Sequence, residues 1–183
     1  MFGWHKEDLD LYSVNFLHHG APKLWYSVDL DYNTQFEEFM QESFPANYRR
    51  CHEFIRHKGT LVHPNVLLEE GIKMVKCQHN PGEFMISRAA AYHQGFNFGF
   101  NIAEAVNFAL RDWLPMAAHV SFCKCISDSV RINMRKFLAN LGEQPDAYLP
   151  ADACEDEEAE EELDSPSSAE DEAADNAAQE KEV

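Results

Sequence analysis

Two histidines and one glutamate carry the first chemistry this sequence offers. His5 and Glu7 flank Lys6 near the start of the chain, and His93 follows Tyr92 near its middle. Two imidazoles and a carboxylate suit a ferrous ion: they grip one face and leave the other open to oxygen and a cosubstrate. In a β-strand residues i and i+2 project to the same side. His5 and Glu7 would therefore point together from one strand. The third ligand must come from another strand, and His93 can supply it. His-x-Glu alone is weak in a chain with nine histidines, so other features have to agree with it.

Several do. A 2-oxoglutarate cosubstrate needs a cation at its distal carboxylate and a hydrogen-bonding group beside it. Lys23 and Asn15 offer these from either side of a short turn. Trp25 shares a strand face with Lys23 and could wall the same space. Separately, Cys51-x5-His57 and Cys123-Lys124-Cys125 supply three sulfurs and one imidazole, a set suited to tetrahedral structural zinc. Five cysteines in a chain without a secretory pattern read as thiols or metal ligands rather than disulfides. Cys77 and Cys154 have no such partners and are taken as ordinary residues. The glycine- and asparagine-rich run over 95–101 suits a tight corner beside a ligand.

The elements that must position these residues are mostly strands in the first part of the chain. Residues 1–28 read as β-prone, through Leu9, Leu11 and the run 12–16, with a turn at 19–22 and a second strand over 23–28. Phe36, Phe39, Met40 and Phe44 have helical spacing over 33–44, and Pro45 should end that helix. A short helix over 64–70 has Pro64 at its first position and Gly71 after its end. Residues 83–86 read as a strand. Asp128 is the expected N-cap of a helix over 130–141, stopped by Gly142. Short strands mixed with helices favour a small β-barrel decorated by helices, and there is no glycine-rich phosphate loop.

Charge divides the chain of 183 residues. Residues 152–183 hold 15 of the 32 acidic residues and one basic residue, Lys181. The rest is close to neutral. With scarcely any large apolar residue, the segment 150–183 is expected to be a disordered, solvated acidic tail after a folded domain over 1–149. Such a tail could also attract basic partners such as histones. The sequence has no apolar run long enough for a transmembrane helix and no secretory signal pattern, so neither membrane insertion nor secretion is expected.

The runs FGWHKEDLDLYSVNFLHHGAPKLWY, CHEFIRHK, GEFMI, AYHQGFNFGFNIAEAVNFA and CKC together resemble the JmjC (jumonji) histone lysine demethylases. Within them the likeness is to the JmjN-plus-JmjC trimethyl-lysine branch, and it covers about 2–133. The resemblance implies a mainly β fold with helical additions, a double-stranded β-helix (cupin-like, jelly-roll) barrel. It also implies oxidative demethylation of trimethylated or dimethylated lysine in the histone H3 tail, dependent on Fe(II) and 2-oxoglutarate. His5, Glu7 and His93 would be the iron ligands. Asn15 and Lys23 would bind 2-oxoglutarate, with Phe2 and Trp25 packing nearby. Cys51, His57, Cys123 and Cys125 would hold structural zinc, Lys58 would stand near the active site, and Asn107 would line the methyl-lysine pocket.

The resemblance further implies chromatin as partner and the nucleus as location, and no sequence-specific nucleic-acid binding is evident. It starts inside the family domain, so the domain over 1–149 is expected to be N-terminally truncated, with a partial barrel and a zinc-site extension. Three places depart from the branch pattern: Arg88-Ala89-Ala90-Ala91 replaces an aromatic-Pro-Tyr-Gly segment, Ala105-Val106 replaces hydroxyl residues, and His19 replaces an aromatic residue. The alternative reading is a catalytically inactive JmjC protein that acts as a chromatin-interaction module through its acidic tail.

Overall fold

In the computed structural model the described residues are 1–125 and 130–149. The acidic tail and Asp128 lie outside them. The chain divides into two units, Met1–Ala151 and Asp152–Val183, and every described residue belongs to the first.

Among the described residues, seven strands form two antiparallel sheets. They are β1 (Phe2–His5), β2 (Tyr12–Gly20), β3 (Lys23–Val28), β4 (Met74–His79), β5 (Phe84–Ser87), β6 (His93–Asn97) and β7 (Asn101–Phe108). One sheet has the order β1-β6-β3-β4 and the other β5-β2-β7. Most strands consecutive in sequence lie in different sheets: β2 and β3 are joined by a tight turn yet belong to opposite sheets, as do β6 and β7, whereas β3 and β4 pair with each other in one sheet. The turn after β2 requires Gly20, whose φ is +103° and whose Cβ would lie 2.4 Å from the Phe100 carbonyl oxygen. Two sheets with this alternating strand assignment fit a cupin-like fold.

Helices α1 (Asn33–Ser43), α2 (Pro45–Arg50) and α3 (Pro64–Glu69) pack beside the four-stranded sheet. Phe36 and Met40 of α1 are fully buried against Trp4, Val28, Ile72 and Tyr92. The Trp4 and Phe36 rings are 5.2 Å apart, and those of Phe36 and Tyr92 4.8 Å. This core lies behind His5 and His93, because Trp4 and Tyr92 each precede one of the histidines in sequence. Two further helices, α4 (Leu114–Ala117) and α5 (Met134–Asn140), build a second core around Trp113, Leu114 and Leu138, with Leu9 and Leu11 packed against it. Among the described residues no helix is long and apolar enough to cross a membrane.

Several sequence expectations need correction. Residues 1–28 are not continuous strand: Asp8–Asp10 is a 3-10 turn in which Leu9 and Asp10 both take left-handed backbone angles. The hydrophobic pair Leu9 and Leu11 therefore reads as strand but serves the second core. Pro45 follows the end of α1 and also opens α2, as expected of a residue whose missing N–H is harmless in a first turn. The last helix begins at Met134, capped by Asn133, whose side-chain oxygen accepts from the Lys136 N–H at 2.9 Å. Strand β4 was not anticipated, since four of its six residues are exposed and show no apolar alternation. The helix over Pro64–Glu69 and its following Gly71, with φ +78°, match the sequence reading.

Candidate iron and zinc centres

His5 and His93 face each other across the β1–β6 ladder, with ring centroids 4.3 Å apart. Glu7 is not on the strand. β1 ends at His5, and Glu7 sits in extended backbone just before the 3-10 turn. Extended geometry still sends both side chains to one side. The ligand atoms of His5, Glu7 and His93 all lie within 4.8 Å of one another, and His93 Nε2 is 3.5 Å from Glu7 Oε1.

The second ring nitrogens fix the chemistry. His5 Nδ1 is 2.8 Å from the Gly3 carbonyl oxygen, and His93 Nδ1 is 3.0 Å from that of Ala91. A carbonyl can only accept, so each Nδ1 carries a proton and donates it. A neutral ring then turns an Nε2 lone pair toward the site, the tautomer a metal ligand needs. With a metal bound, His93 Nε2 and the Glu7 carboxylate, 3.5 Å apart, would share the cation; in the metal-free site a proton on Nε2 takes the cation's place and bridges the two. Burial, the nearby His93 ring and the Lys58 charge push the His5 pKa down to about 4. Burial alone would raise the Glu7 pKa, but hydrogen bonds from His93, Asn107 and Ser13 outweigh it and hold it at about 2. A carboxylate that stays ionised beside two imidazoles fits a divalent cation of the iron type.

These shifts predict acid sensitivity of the metal-free protein. The His5 pKa is lower in the folded chain than in the unfolded one, so between pH 6.5 and 4 the unfolded chain binds the extra proton. Stability therefore falls as pH drops through that window, by roughly 3 kcal/mol. Glu7 extends the loss as pH falls from 4.5 toward 2. Urea midpoints measured across pH 4 to 7 check this, and His5→Asn should flatten the slope.

The walls of the site come from both sheets. The β1–β6 register shifts between Phe2 and His5, and this irregularity turns both side chains to one face. The Phe2 ring lies 5.0 Å from Trp25, 6.0 Å from His5 and 6.4 Å from His93. The Trp25 ring is 5.7 Å from His93. Gly95 makes this packing possible: a Cβ there would meet the Leu24 carbonyl oxygen at 2.2 Å and the Phe2 ring at 2.7 Å.

Lys23 opens β3 two residues before Trp25, on the same face. Burial lowers its pKa, and among the described residues it has no carboxylate partner. Asn15 lies on the opposite sheet, on the same face of β2 as Ser13. Asn15 Oδ1, Trp25 Nε1 and His79 Nδ1 are all buried without a hydrogen-bond partner among the described residues. His79 is directly opposite Lys23 in the β3–β4 ladder. An uncompensated cation and three unpartnered polar atoms on facing walls fit an anionic, hydrogen-bonding guest such as 2-oxoglutarate.

Sequence reading missed Ser13, Ser87 and His79. Ser13 and Ser87 are hydrogen-bonded to each other, and Ser13 also supports Glu7. The signal for Ser13 was the period of two that links it to Asn15. His79 gave no signal because its strand was not recognised.

Asn107 lies on β7 opposite Ser13, hydrogen-bonded to Glu7 and to the Tyr12 carbonyl at 3.3 Å. Lys58 is exposed at the rim in left-handed backbone, with φ +57°. Ala105 is in register with Asn15, whereas Val106 is in register with Val14 on the other face. Only Ala105 of that pair can therefore shape the site. The substituted segment before His93 holds its turn through Ala90, with φ +59°. The Ala90 N–H donates to the Asp10 carbonyl at 3.0 Å, and the Asn33 amide donates to the Ala90 carbonyl at 2.9 Å.

The second cluster is also assembled. The ligand atoms of Cys51, His57, Cys123 and Cys125 lie within 4.8 Å of one another. The Cys51 and Cys123 sulfurs are 3.7 Å apart, and His57 Nε2 is 3.0 Å from the Cys123 sulfur. Two sulfurs on a tetrahedral zinc lie about 3.8 Å apart, so the spacing fits that ion. Burial and the neighbouring thiols push Cys51 up to about 12. Burial would raise Cys123 as well, but the Cys125 N–H and His57 draw it down to about 7. Bound zinc would hold all three as thiolates.

Comparison with known proteins agrees with this geometry. The family profile described as "JmjC domain, hydroxylase" matches residues 1–108. Over 147 residues, 80% of this chain, the sequence is 44% identical to "Probable lysine-specific demethylase 4F" of Homo sapiens, covering 23% of that protein. Over the same share it is 43% identical to "Lysine-specific demethylase 4D" of Rattus norvegicus and 42% identical to "Lysine-specific demethylase 4B" of Mus musculus, covering 28% and 13% of them. The chain thus spans less than a third of the length of these relatives. It belongs to the JmjC domain family, and the relatives it resembles there are lysine-specific demethylases.

Proposed function

We propose that this chain carries the catalytic centre of a histone lysine demethylase that uses Fe(II) and 2-oxoglutarate. Its substrate is the trimethylated or dimethylated lysine of the histone H3 tail, which places it on chromatin in the nucleus. The observation that carries this reading is the His5–Glu7–His93 triad, with both Nδ1 atoms on backbone carbonyls, His93 Nε2 3.5 Å from the Glu7 carboxylate and the three ligand atoms within 4.8 Å of one another. The two sheets would be the walls of the family's double-stranded β-helix.

Dioxygen, activated with bound iron and 2-oxoglutarate, would supply the oxidation: one oxygen atom would go to the N-methyl carbon and the other to succinate as 2-oxoglutarate loses carbon dioxide, after which the hydroxymethyl group leaves as formaldehyde and the lysine carries one methyl group fewer. The protein's share is binding, orientation and exclusion of water. His5, Glu7 and His93 hold the iron. Lys23 and Asn15 take the distal carboxylate of 2-oxoglutarate from opposite walls. Phe2 and Trp25 cover the ligand histidines and keep water from that side. Asn107, bonded to Glu7, stands where the methylated lysine would meet the metal, and Lys58 adds a cation at the rim. The Cys51–His57–Cys123–Cys125 zinc centre secures the segment beside them. The intact triad favours an enzyme over a purely non-catalytic chromatin-binding module.

The test is incubation of the zinc-loaded chain with Fe(II), 2-oxoglutarate and a trimethyl-lysine H3 peptide. Succinate and formaldehyde in equal amounts, with stepwise loss of methyl mass from the peptide, support the reading. Absence of peptide demethylation from a chain that holds both metals and 2-oxoglutarate overturns it.

A further inference from the structure

Glu7 is followed by a strained turn. Leu9 has φ 53° and ψ 24°, and Asp10 has φ 53°. Successive left-handed residues that are not glycine are strained and persist only where surrounding contacts fix them. The Trp113 indole N–H donates to the Leu9 carbonyl at 2.9 Å, and Lys6 Nζ donates to Asp10 Oδ2 at 3.1 Å. The main clamp is Arg56. Its Nη1 donates to the Glu7 carbonyl at 3.0 Å, its Nη2 to Asp10 Oδ1 at 2.7 Å and its Nε to Glu53 Oε2 at 2.8 Å. Only 7% of its side chain is exposed. The guanidinium therefore grips both ends of the turn that aims Glu7.

Arg56 also belongs to the zinc segment. It lies in the 3-10 turn Phe54–His57, next to His57 and five residues after Cys51, two of the four ligands of the sulfur cluster. Glu53, its third acceptor, is hydrogen-bonded to Ser121, two residues before Cys123. Phe54 and Ile55 anchor the same stretch in the main core. A fork that must meet three acceptors at once depends on the placement of its backbone. That placement is fixed at both ends by ligands of the cluster.

We infer that Arg56 is a positioning residue that couples the two centres: occupancy of the Cys51–His57–Cys123–Cys125 cluster sets the metal affinity of His5–Glu7–His93 through the Arg56 grip on Glu7 and Asp10. The inference rests on the proposed reading that the triad holds a divalent metal. Coupling of this kind is reciprocal, so metal at the triad also tightens zinc.

The test is titration of the full chain with Mn(II), followed by the paramagnetic resonance of the free ion. Mn(II) prefers nitrogen and oxygen ligands and leaves the thiolate cluster to zinc. Three forms are compared, each with its fold checked by circular dichroism: zinc-loaded wild type, zinc-stripped wild type and zinc-loaded Arg56→Lys. Lysine keeps the charge but cannot meet the three acceptors together. The zinc-loaded wild type is expected to bind Mn(II) about tenfold more tightly than either of the others, a coupling of ordinary size. Equal affinity in zinc-loaded wild type and Arg56→Lys overturns the inference. Equal affinity in zinc-loaded and zinc-stripped wild type overturns it as well, since cluster occupancy would then not reach the triad; the Lys variant, which retains zinc, tests the Arg56 link even if stripping unfolds the chain. Failure of zinc-loaded wild type to bind Mn(II) at all overturns instead the reading of the triad as a metal site.

Discussion

Replacing Cys123 with serine should empty the zinc centre and cause a large loss of stability. Cys123 is buried, and its sulfur is the hub of the cluster, meeting the Cys51 sulfur, His57 Nε2 and the Cys125 N–H. The cluster joins a segment near residue 51 to one near residue 123. A structural zinc contributes folding free energy directly, because its site does not exist in the unfolded chain. Losing one of three thiolates should remove several kcal/mol of that contribution, lowering the thermal midpoint by on the order of 10 °C. Zinc content by elemental analysis and unfolding by calorimetry check both parts. Cys77→Ser, at an exposed cysteine outside the cluster, should change neither. An unaltered midpoint in the zinc-free Cys123 variant would show that the cluster does not hold the fold.

Lys23→Met should weaken 2-oxoglutarate binding by roughly tenfold to a hundredfold. A hydrogen bond to a charged group contributes about 1.5–3 kcal/mol, and methionine keeps most of the apolar volume of the lysine stem while removing its charge. Lys23 is the right residue to lose because burial already lowers its pKa with no carboxylate among the described residues to offset it. A guest carboxylate would be its first counter-charge. Asn15→Ala should have a smaller effect in the same direction, since it removes a neutral partner. Calorimetric titration of the metal-loaded chain with 2-oxoglutarate measures both. Metal affinity at the triad should stay unchanged in the Lys23 variant, which separates loss of cosubstrate from loss of the centre.

The site was more legible in the sequence than the fold around it. The ligand atoms of His5, Glu7 and His93 do converge, as do those of the four cluster residues; residue type and spacing suggested both sets, and the family resemblance singled them out. The route by which Glu7 reaches the site was misread. A strand was expected through residue 9, and a left-handed turn stands there, held by contacts from Arg56, Trp113 and Ala90 that are remote in sequence. No local pattern announces such a turn when neither residue is glycine. Strand β4 was missed for a different reason. It is half of a ladder with β3 and leaves most of its residues in water, so its place comes from backbone pairing rather than from an apolar face. His79 came into view only with that strand. Arg56 and Asp10 look like ordinary surface charges in the sequence, and only the fold buries them together.

The most direct test of the iron centre is anaerobic Fe(II) binding to the zinc-loaded chain, compared with Glu7→Gln. Glutamine keeps the shape of the side chain and removes the charge that the metal needs. The expected result is one equivalent of iron beside the zinc in wild type, and an iron affinity at least about 100-fold weaker in Glu7→Gln with zinc content intact. Equal iron affinity in the two proteins would contradict the assignment of His5, Glu7 and His93 as the iron site.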